Sequence, residues 1–149
     1  MSRNRTIDEL EEQSELNFQN YLKEYGLVKF PIIGDGNCLF QSLSHQLEGN
    51  QGNRRWYRSM TIDYMVMFPD LFSCLLMDND RFQVSLDMYL EYIAEDGRWG
   101  GNFEILALAE VFQVNIYVFH ENCQRIKIGS QPDNDDDPFN SIFIAYSRS

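Results

Sequence analysis

Residues 34–47 constrain this chain most, because a glycine-bearing turn leads directly into a helix that begins with a cysteine. Gly34 and Gly36 allow the backbone a positive φ and leave room for another chain to pass close by. A thiol at a helix N-terminus meets unpaired N–H groups and the positive end of the helix dipole, which favour the thiolate. The pattern predicts that Cys38 is a nucleophile on a rigid element and the most readily alkylated cysteine of the chain. The helix is predicted to end at Gly49, from the three-and-four spacing of its apolar positions Leu39, Phe40, Leu43 and Leu47.

Length and charge limit the kind of protein and its partners. The 149 residues are 44% hydrophobic and 14% aromatic, enough for one substantial core and a single compact domain. Twelve basic and 23 acidic residues give a net charge of −11, which argues against nucleic acid or an anionic membrane surface as the main partner. No apolar run approaches the ~20 residues of a membrane span, and the polar start lacks a signal core. We expect a monomer in the cytoplasm, with the nucleus as the alternative, and a basic protein surface as a compatible partner.

The cysteines and the acidic residues do not predict a metal site. The three cysteines are widely spaced and lack a C-x-x-C pair, which argues against disulfides, zinc and redox chemistry. Cys74 lies in an apolar run and is predicted to be a buried hydrophobic residue, whereas Cys123 lies in a turn and has no predicted role. The acidic run at residues 133–137 lacks the spacing, glycine and bidentate glutamate of a calcium loop, so we interpret it as solvated charge. No metal or cofactor is predicted.

The N-terminal part of the sequence predicts a helix followed by a short strand. Thr6 and Glu9 form a capping box, which predicts a helical extension over residues 1–26. Its sparse first apolar positions predict that only the second half of this helix packs on the rest. The segment 28–32 is predicted to be an edge strand, because Pro31 has no N–H to donate.

Helices fill the middle of the chain and a small sheet follows. Asn53 is predicted to cap a helix that buries residues 56, 60, 64 and 68, and Asn102 to cap a helix over residues 103–112. Two chain reversals make the strands at 114–119 and 141–146 parallel, with their C-terminal ends at one edge of the sheet. The fold class predicted is therefore α/β (α+β). The remaining elements are a short helix at 70–77, a helix begun by Asp80 and ended by Gly97, and a return strand at 125–128.

Two motifs in this order resemble one protein family. The six residues Asp35-Gly36-Asn37-Cys38-Leu39-Phe40 resemble the nucleophile motif of the ovarian-tumour (OTU) domain cysteine proteases, which are mostly deubiquitinases. The stretch Trp99-Gly100-Gly101-Asn102-Phe103-Glu104 is similar to the family's next signature, a Trp-Gly turn that opens a helix. The resemblance covers about residues 25–146. It implies an OTU-like peptidase fold over residues 27–149, with a small central sheet and a helical subdomain between the motifs.

The resemblance also implies roles for individual residues. Cys38 would be the nucleophile, with Asp35 in the catalytic motif fixing the turn. The backbone N–H of Cys38 and amides of the turn, which includes Gly36 and Asn37, would form the oxyanion hole. The Trp99-Gly100-Gly101 stretch would bind substrate, since the Gly-Gly tail of ubiquitin threads near this region in similar domains. From its residue type alone, an aromatic anchor for its own turn is the more usual role for Trp99 than a wall for the substrate.

The general base is not evident in the sequence. His45 lies two helical turns beyond Cys38, about 10 Å along the axis, and is predicted to pack against the middle helices. His120 ends a strand beside a turn, where a surface role is usual. In the family the base follows the last strand, commonly as His-Tyr with an Asn or Asp after it. We therefore expect the base beyond Ser149 in a longer form, and little or no activity in the 149-residue polypeptide.

Two functional hypotheses follow from different classes. The first is a thiol-dependent deubiquitinase that hydrolyses the bond after the C-terminal glycine of ubiquitin, with ubiquitin or polyubiquitin chains as partners. The second is a non-catalytic relative that binds ubiquitin as a scaffold. A papain-like protease of another kind fits poorly, because the papain-type surroundings of the cysteine are absent.

Overall fold

The computed structural model describes residues 6–30, 32, 35–78, 84–132 and 141–146, which form six helices and a three-stranded sheet. This mixture confirms the α/β (α+β) class. The elements are α1 Ile7–Glu24, α2 Cys38–Glu48, α3 Arg54–Met67, α4 Pro69–Met77, α5 Leu86–Ala94, α6 Asn102–Phe112, β1 Asn115–His120, β2 Gln124–Ile128 and β3 Ser141–Tyr146.

The sheet has the predicted topology. Its order is β2-β1-β3, with β1 antiparallel to β2 and parallel to β3. Ile116 pairs with Ile142 and His120 pairs with Tyr146, so the C-terminal ends of β1 and β3 lie side by side. The reversal at residues 121–123 turns the chain back into β2, which explains why local turn signals were sufficient to predict this arrangement.

The core lies between the sheet and the helices α2, α3 and α6. Phe40 and Leu43 of α2 are fully buried, and Gly49 ends this helix in the left-handed conformation, as predicted. Cys38 therefore begins a helix that is held along its length by apolar packing. The buried members of the central cluster are Leu39, Phe40, Leu43, Tyr57, Ile105, Leu108, Ala109, Val114, Ile116, Val118 and Ile142.

Helix α1 is attached only by its second half, as predicted. Phe18 and Leu22 are buried in a cluster with Phe119 of the sheet. At the other end of α1, Ile7 is 74% exposed. Thr6 caps the helix by accepting a hydrogen bond from the Glu9 N–H at 3.2 Å.

The predicted strand at 28–32 is wrong, because no strand forms among its described residues. Side chains rather than a backbone ladder hold this segment. Lys29 pairs with Glu15 of α1 at 3.1 Å, and the Phe30 ring stacks on His45 with centroids 4.0 Å apart.

The buried face of α3 is displaced by about one residue from the predicted face. Tyr57, Thr61 and Met65 are buried, whereas Trp56 and Phe68 are 48% and 44% exposed. The rotation brings Arg58 into the interior, where its guanidinium finds four oxygen acceptors. The spacing of apolar residues in the sequence does not reveal that the Arg58 guanidinium binds these interior acceptors.

Several predicted helix starts also need correction. Asn53 precedes α3, but its amide donates to Glu48 at 2.6 Å instead of capping the helix. Asn102 is the first residue of α6 and Gly101 is its N-cap. Asp80 lies outside the described residues, and α5 begins at Leu86 with Ser85 as its cap.

Cys74 is exposed, so the prediction that it is buried is wrong. Helix α4 is short, and its buried positions are Phe72 and Leu76, which leave Cys74 on a different side of the helix. Cys123 is exposed in its turn, in line with the prediction. The acidic run 133–137 lies outside the described residues.

The side chain of Gln46 contacts the backbone of β3. Its amide donates to the Phe143 carbonyl, and its carbonyl accepts from the Phe143 N–H at 2.8 Å. Helix α2 is thereby tied to the sheet by polar contacts as well as by its apolar face.

Within the described part of the chain, no single helix combines the length and apolar composition needed to cross a membrane. Helices α3 and α4 satisfy that test only as a pair, and they are bent by 93° relative to each other.

Candidate active site

Residues 35–38, the nucleophile turn, have a backbone conformation that requires glycine at position 36. The Asp35 carboxylate accepts a hydrogen bond from the Asn37 N–H at 3.1 Å and closes the turn. Gly36 has φ +86°, and a Cβ at this position would overlap the carbonyl group of Gly97. The turn thus requires glycine both for its conformation and for the close approach of a second loop.

The Asn37 side chain holds two loops together instead of capping α2. It is 3% exposed, and its Oδ1 accepts from Arg58 Nη2 at 2.7 Å and from the Gly97 N–H at 3.0 Å. It makes no side-chain cap to its own helix. The role predicted for Asn37 concerned the backbone of the turn, and the amide side chain adds a link that sequence reasoning missed.

Arg58 is a second residue that sequence reasoning missed. It is 4% exposed, and its guanidinium lies over the Phe40 ring at 4.3 Å from the centroid. Burial lowers the pKa of Arg58 from its ordinary value, while the charges of Asp96 and Glu104 act in the opposite direction. In the sequence, Arg58 directly follows Tyr57 among the apolar residues of α3. A basic residue in such a place is normally interpreted as the edge of a solvated face.

Residues 97–101, the tryptophan loop, lie against the nucleophile turn. The Arg98 carbonyl accepts from Arg58 at 2.9 Å, and the Gly101 N–H donates to Glu104 at 2.7 Å. A Cβ at Gly100 would lie 2.6 Å from Leu39 Cδ2, so Gly100 permits close packing on α2. The structure therefore brings the two sequence motifs together.

Trp99 projects from the middle of this loop and is 56% exposed. Such exposure does not fit the interpretation of Trp99 as a buried anchor of its turn. The predicted contact of Trp99, Gly100 and Gly101 with substrate stays a prediction. Of the three, Trp99 offers the exposed aromatic surface and Gly100 the close packing on α2.

Glu104 fixes the end of the tryptophan loop from inside the protein. Its carboxylate is 1% exposed and accepts from the Tyr89 hydroxyl at 2.6 Å. Burial raises the pKa of Glu104, and its hydrogen bonds from Tyr89 and Gly101 offset that rise only in part. Burial also raises the pKa of Tyr89, which therefore stays a neutral donor.

The Cys38 thiol is half-buried, and its pKa lies above the ordinary value. Burial is the largest cause and the negative charge of Asp35 acts in the same direction, whereas the N–H groups of Leu39 and Cys38 lower the pKa. The N–H groups at the helix start therefore favour the thiolate, as predicted, but the net change in the pKa is upward. Loss of water around the sulfur outweighs the two backbone donors.

No histidine in the described part of the chain contributes to the pKa of Cys38. His45 stacks on Phe30, and its packing against the middle helices stays a prediction. His120 contacts Tyr146, with ring centroids 5.8 Å apart. A base after the last strand stays a prediction.

Nothing in the described ranges forms a group of three or more His, Cys, Asp or Glu side chains suited to a metal ion. The chemistry that the site can support is nucleophilic. Cys38 begins a packed helix, the backbone N–H groups of Cys38 and Leu39 lie at its sulfur, and an exposed aromatic residue lies on the adjoining loop. Such an arrangement is suited to acyl transfer through a thioester, with the N–H groups holding the oxyanion.

The fold and this arrangement are typical of proteins of the cysteine-protease class. The chain belongs to the family of OTU-like cysteine proteases, whose family model matches residues 33–149. It is 33% identical over 116 residues to the ubiquitin thioesterase otu2 of Schizosaccharomyces pombe, a match that covers 75% of this chain. The same match covers only 39% of that relative, so the chain spans about two fifths of its length.

Solved OTU domains have the same fold. The OTU domain of OTUD1 superposes with a TM-score of 0.76 at 26% identity, covering 91% of this chain and 90% of that one. An OTU domain solved in complex with ubiquitin has a TM-score of 0.62 at 24% identity and covers 78% of this chain and 62% of that one. These similarities confirm the OTU-like fold that the two motifs predict.

Proposed function

We propose that this chain is the catalytic domain of a cysteine-dependent deubiquitinase, which hydrolyses the bond after the C-terminal glycine of ubiquitin. One observation carries the proposal: Cys38 begins α2 in a turn held directly against the Trp99-Gly100-Gly101 loop. The chain's membership of the OTU-like cysteine protease family supports it. So do the name of the yeast relative, a ubiquitin thioesterase, and the ubiquitin bound to a solved OTU domain.

The proposed reaction proceeds through a thioester. The Cys38 thiolate attacks the carbonyl carbon of the terminal glycine, and the oxyanion accepts hydrogen bonds from the Cys38 N–H and the turn. Collapse of this intermediate breaks the C–N bond, and the leaving amine takes a proton. Water then cleaves the thioester, which releases the ubiquitin carboxylate and restores the thiol.

This reaction needs a general base. The pKa of Cys38 is raised, so little thiolate forms at neutral pH without a base that takes the proton and later gives it to the amine. We place that base, as part of the proposal, in a His-Tyr segment that follows β3.

Ubiquitin or a polyubiquitin chain is the proposed partner. The net charge of −11 favours a basic protein surface over nucleic acid. We further propose that the domain acts as a monomer in the cytoplasm or nucleus.

The test is labelling by ubiquitin that carries an electrophile in place of its C-terminal carboxylate. We expect a single adduct on Cys38 that is absent in Cys38→Ala and unchanged in Cys74→Ser and Cys123→Ser. The two control cysteines are exposed, so non-specific reaction would reach them first. An adduct on either control cysteine, or no adduct at all, would contradict the proposal.

The non-catalytic ubiquitin binder is the alternative to be separated from the deubiquitinase. A binder would shift ubiquitin resonances in an NMR titration but would give no Cys38 adduct. The deubiquitinase gives both signals.

A further inference from the structure

We propose that Arg58 is a positioning residue, whose buried guanidinium fixes the nucleophile turn and the tryptophan loop relative to each other. The inference rests on the proposed function, because the positioned groups are the nucleophile and the proposed substrate loop. Arg58 itself acts through other residues, since each of its hydrogen bonds in the described structure goes to a backbone carbonyl or to the Asn37 side chain.

The guanidinium contacts both loops and the helix beside them. Nη2 donates to Asn37 Oδ1 at 2.7 Å, to the Arg98 carbonyl at 2.9 Å and to the Gly36 carbonyl at 3.4 Å. Nη1 donates to the Ile93 carbonyl, at the end of α5, at 2.8 Å. Because the guanidinium is planar and its donors have a fixed geometry, these acceptors cannot shift independently without losing a bond.

The two loops also share one oxygen atom. Asn37 Oδ1 accepts from Arg58 and from the Gly97 N–H at the same time. Directly beside it, the backbone of Gly36 lies so close to Gly97 that a Cβ would not fit. A displacement of the guanidinium is therefore transmitted to the residue that precedes Cys38, to Gly97 and to Arg98.

The kind of acceptor that Arg58 has makes its hydrogen bonds depend on the exact positions of the acceptor atoms. The three ion pairs in the described structure do not include Arg58, and its acceptors are neutral. A buried cation held by neutral acceptors depends on accurate hydrogen-bond geometry to replace its lost hydration. A lysine ammonium has the same charge but cannot reach Gly36, Asn37, Ile93 and Arg98 from one plane.

The main test compares Arg58→Lys with Arg55→Lys, a change of the same type at an exposed residue three positions earlier on α3. The first readout is hydrogen–deuterium exchange of the backbone in the chain without ubiquitin. We expect Arg58→Lys to accelerate exchange in residues 36–38 and 97–101 together, and Arg55→Lys to leave both segments unchanged. Faster exchange in one loop alone would overturn the proposed coupling.

The second readout separates binding from positioning in the reaction with the ubiquitin electrophile. Misplacement by about 1 Å can lower a rate about 100-fold, so we expect the maximal labelling rate of Arg58→Lys to fall about 10- to 100-fold. The half-saturating probe concentration should change much less. A wild-type labelling rate in folded Arg58→Lys would overturn the inference. If the wild-type chain itself is not labelled, the proposed function fails, while the exchange experiment still decides whether the loops are coupled.

Asn37→Ala provides a test that leaves the Arg58 side chain unchanged. It deletes the shared oxygen but keeps the contacts of Arg58 with Ile93 and Arg98. We expect the same joint acceleration of exchange, and we expect the double variant to label no more slowly than the slower single variant, because both changes break one link. Additive losses would show that the two residues act separately and would refute the proposal.

Discussion

The nucleophile turn and the C-terminal edge of the sheet are fixed in different ways. The turn is held by a glycine-to-glycine backbone approach, by the Asn37 amide and by a buried guanidinium. At the sheet edge, His120 and Tyr146 pair as the last residues of their strands, and their rings touch beside the turn at Glu121. Positioning the Cys38 thiol and supplying a base for it are therefore separate tasks, and the contacts of the described structure bear on the first.

The largest effect is expected from supplying a base. A 149-residue polypeptide should cleave di-ubiquitin about 10² to 10⁴ times more slowly than one with a His-Tyr segment appended after Ser149, because positioned general-base catalysis has that magnitude. Rates are measured by gel or fluorescence assay. An appended segment with Ala in place of His serves as the control. Rapid cleavage by the unextended chain that is lost in His120→Ala would instead identify His120 as the base and erase the contrast between the two regions.

The next effect tests the tight packing of the turn. Gly36 and Gly49 have nearly the same φ, +86° and +82°, but only Gly36 has a neighbour where a Cβ would stand. Gly49→Ala should lower the free energy of unfolding by about 1 to 2 kcal/mol, the cost of a left-handed conformation. Gly36→Ala should lower it by a further 1 to 3 kcal/mol or so, through overpacking.

Urea unfolding measures both variants, and the ubiquitin electrophile reports on Cys38. Labelling should fall in Gly36→Ala and stay unchanged in folded Gly49→Ala. Equal unfolding free energies for the two variants would show that the Gly97 backbone shifts at little energetic cost. The nucleophile turn would then be no more constrained than the end of α2.

A smaller effect is expected from Trp99→Ala, with Trp56→Ala as the matched control. Both rings are about half exposed, but Trp56 packs on Tyr57 and Phe112. Trp99→Ala should leave the free energy of unfolding within about 0.5 kcal/mol of wild type and weaken ubiquitin binding about tenfold, as loss of an aromatic interface residue does. Trp56→Ala should instead lower the free energy of unfolding and leave ubiquitin binding unchanged. Calorimetric unfolding and NMR titration at two salt concentrations measure both, and binding should weaken as salt increases.

The smallest effect concerns the protonation of Cys38. A raised pKa means that the thiolate fraction at neutral pH is lower than for an ordinary thiol and increases only at higher pH. Peptide mapping after brief iodoacetamide treatment should therefore find Cys38 modified more slowly than the exposed Cys74 and Cys123 at pH 7, with its rate increasing as the pH is raised.

Asp35→Asn should move the Cys38 profile to lower pH, because it removes the negative charge that raises the pKa while keeping an oxygen acceptor for the Asn37 N–H. Fast modification of Cys38 at pH 7 would mean that the helix N-terminus outweighs burial. The original expectation from the sequence would then be restored.

The sequence was sufficient for features that depend on local signals. The helix after Cys38, its end at Gly49 and the parallel direction of β1 and β3 follow from spacing and turns, and all three are confirmed. Membership of the OTU-like family follows from two short motifs. Cys74 was misjudged because an apolar run does not show which of its positions faces the core.

The polar part of the candidate site was not predictable in the same way. Arg58 bonds to carbonyl groups of Gly36, Ile93 and Arg98, and backbone carbonyls carry no residue identity for a sequence to reveal. Glu104 likewise accepts a backbone N–H and a tyrosine hydroxyl from separate segments. The pKa of Cys38 depended on how deeply folding buries the sulfur, which is a property of the packed domain.

The contact of Gln46 with β3 also bears on whether a strand of another copy can pair with the open edge of the sheet. In the described sheet, β3 has β1 on one side only, and the Gln46 amide occupies both the donor and the acceptor of Phe143. An incoming strand from another copy would need those two groups to extend the sheet. The helix that begins with Cys38 thus also covers the open edge of β3 at Phe143.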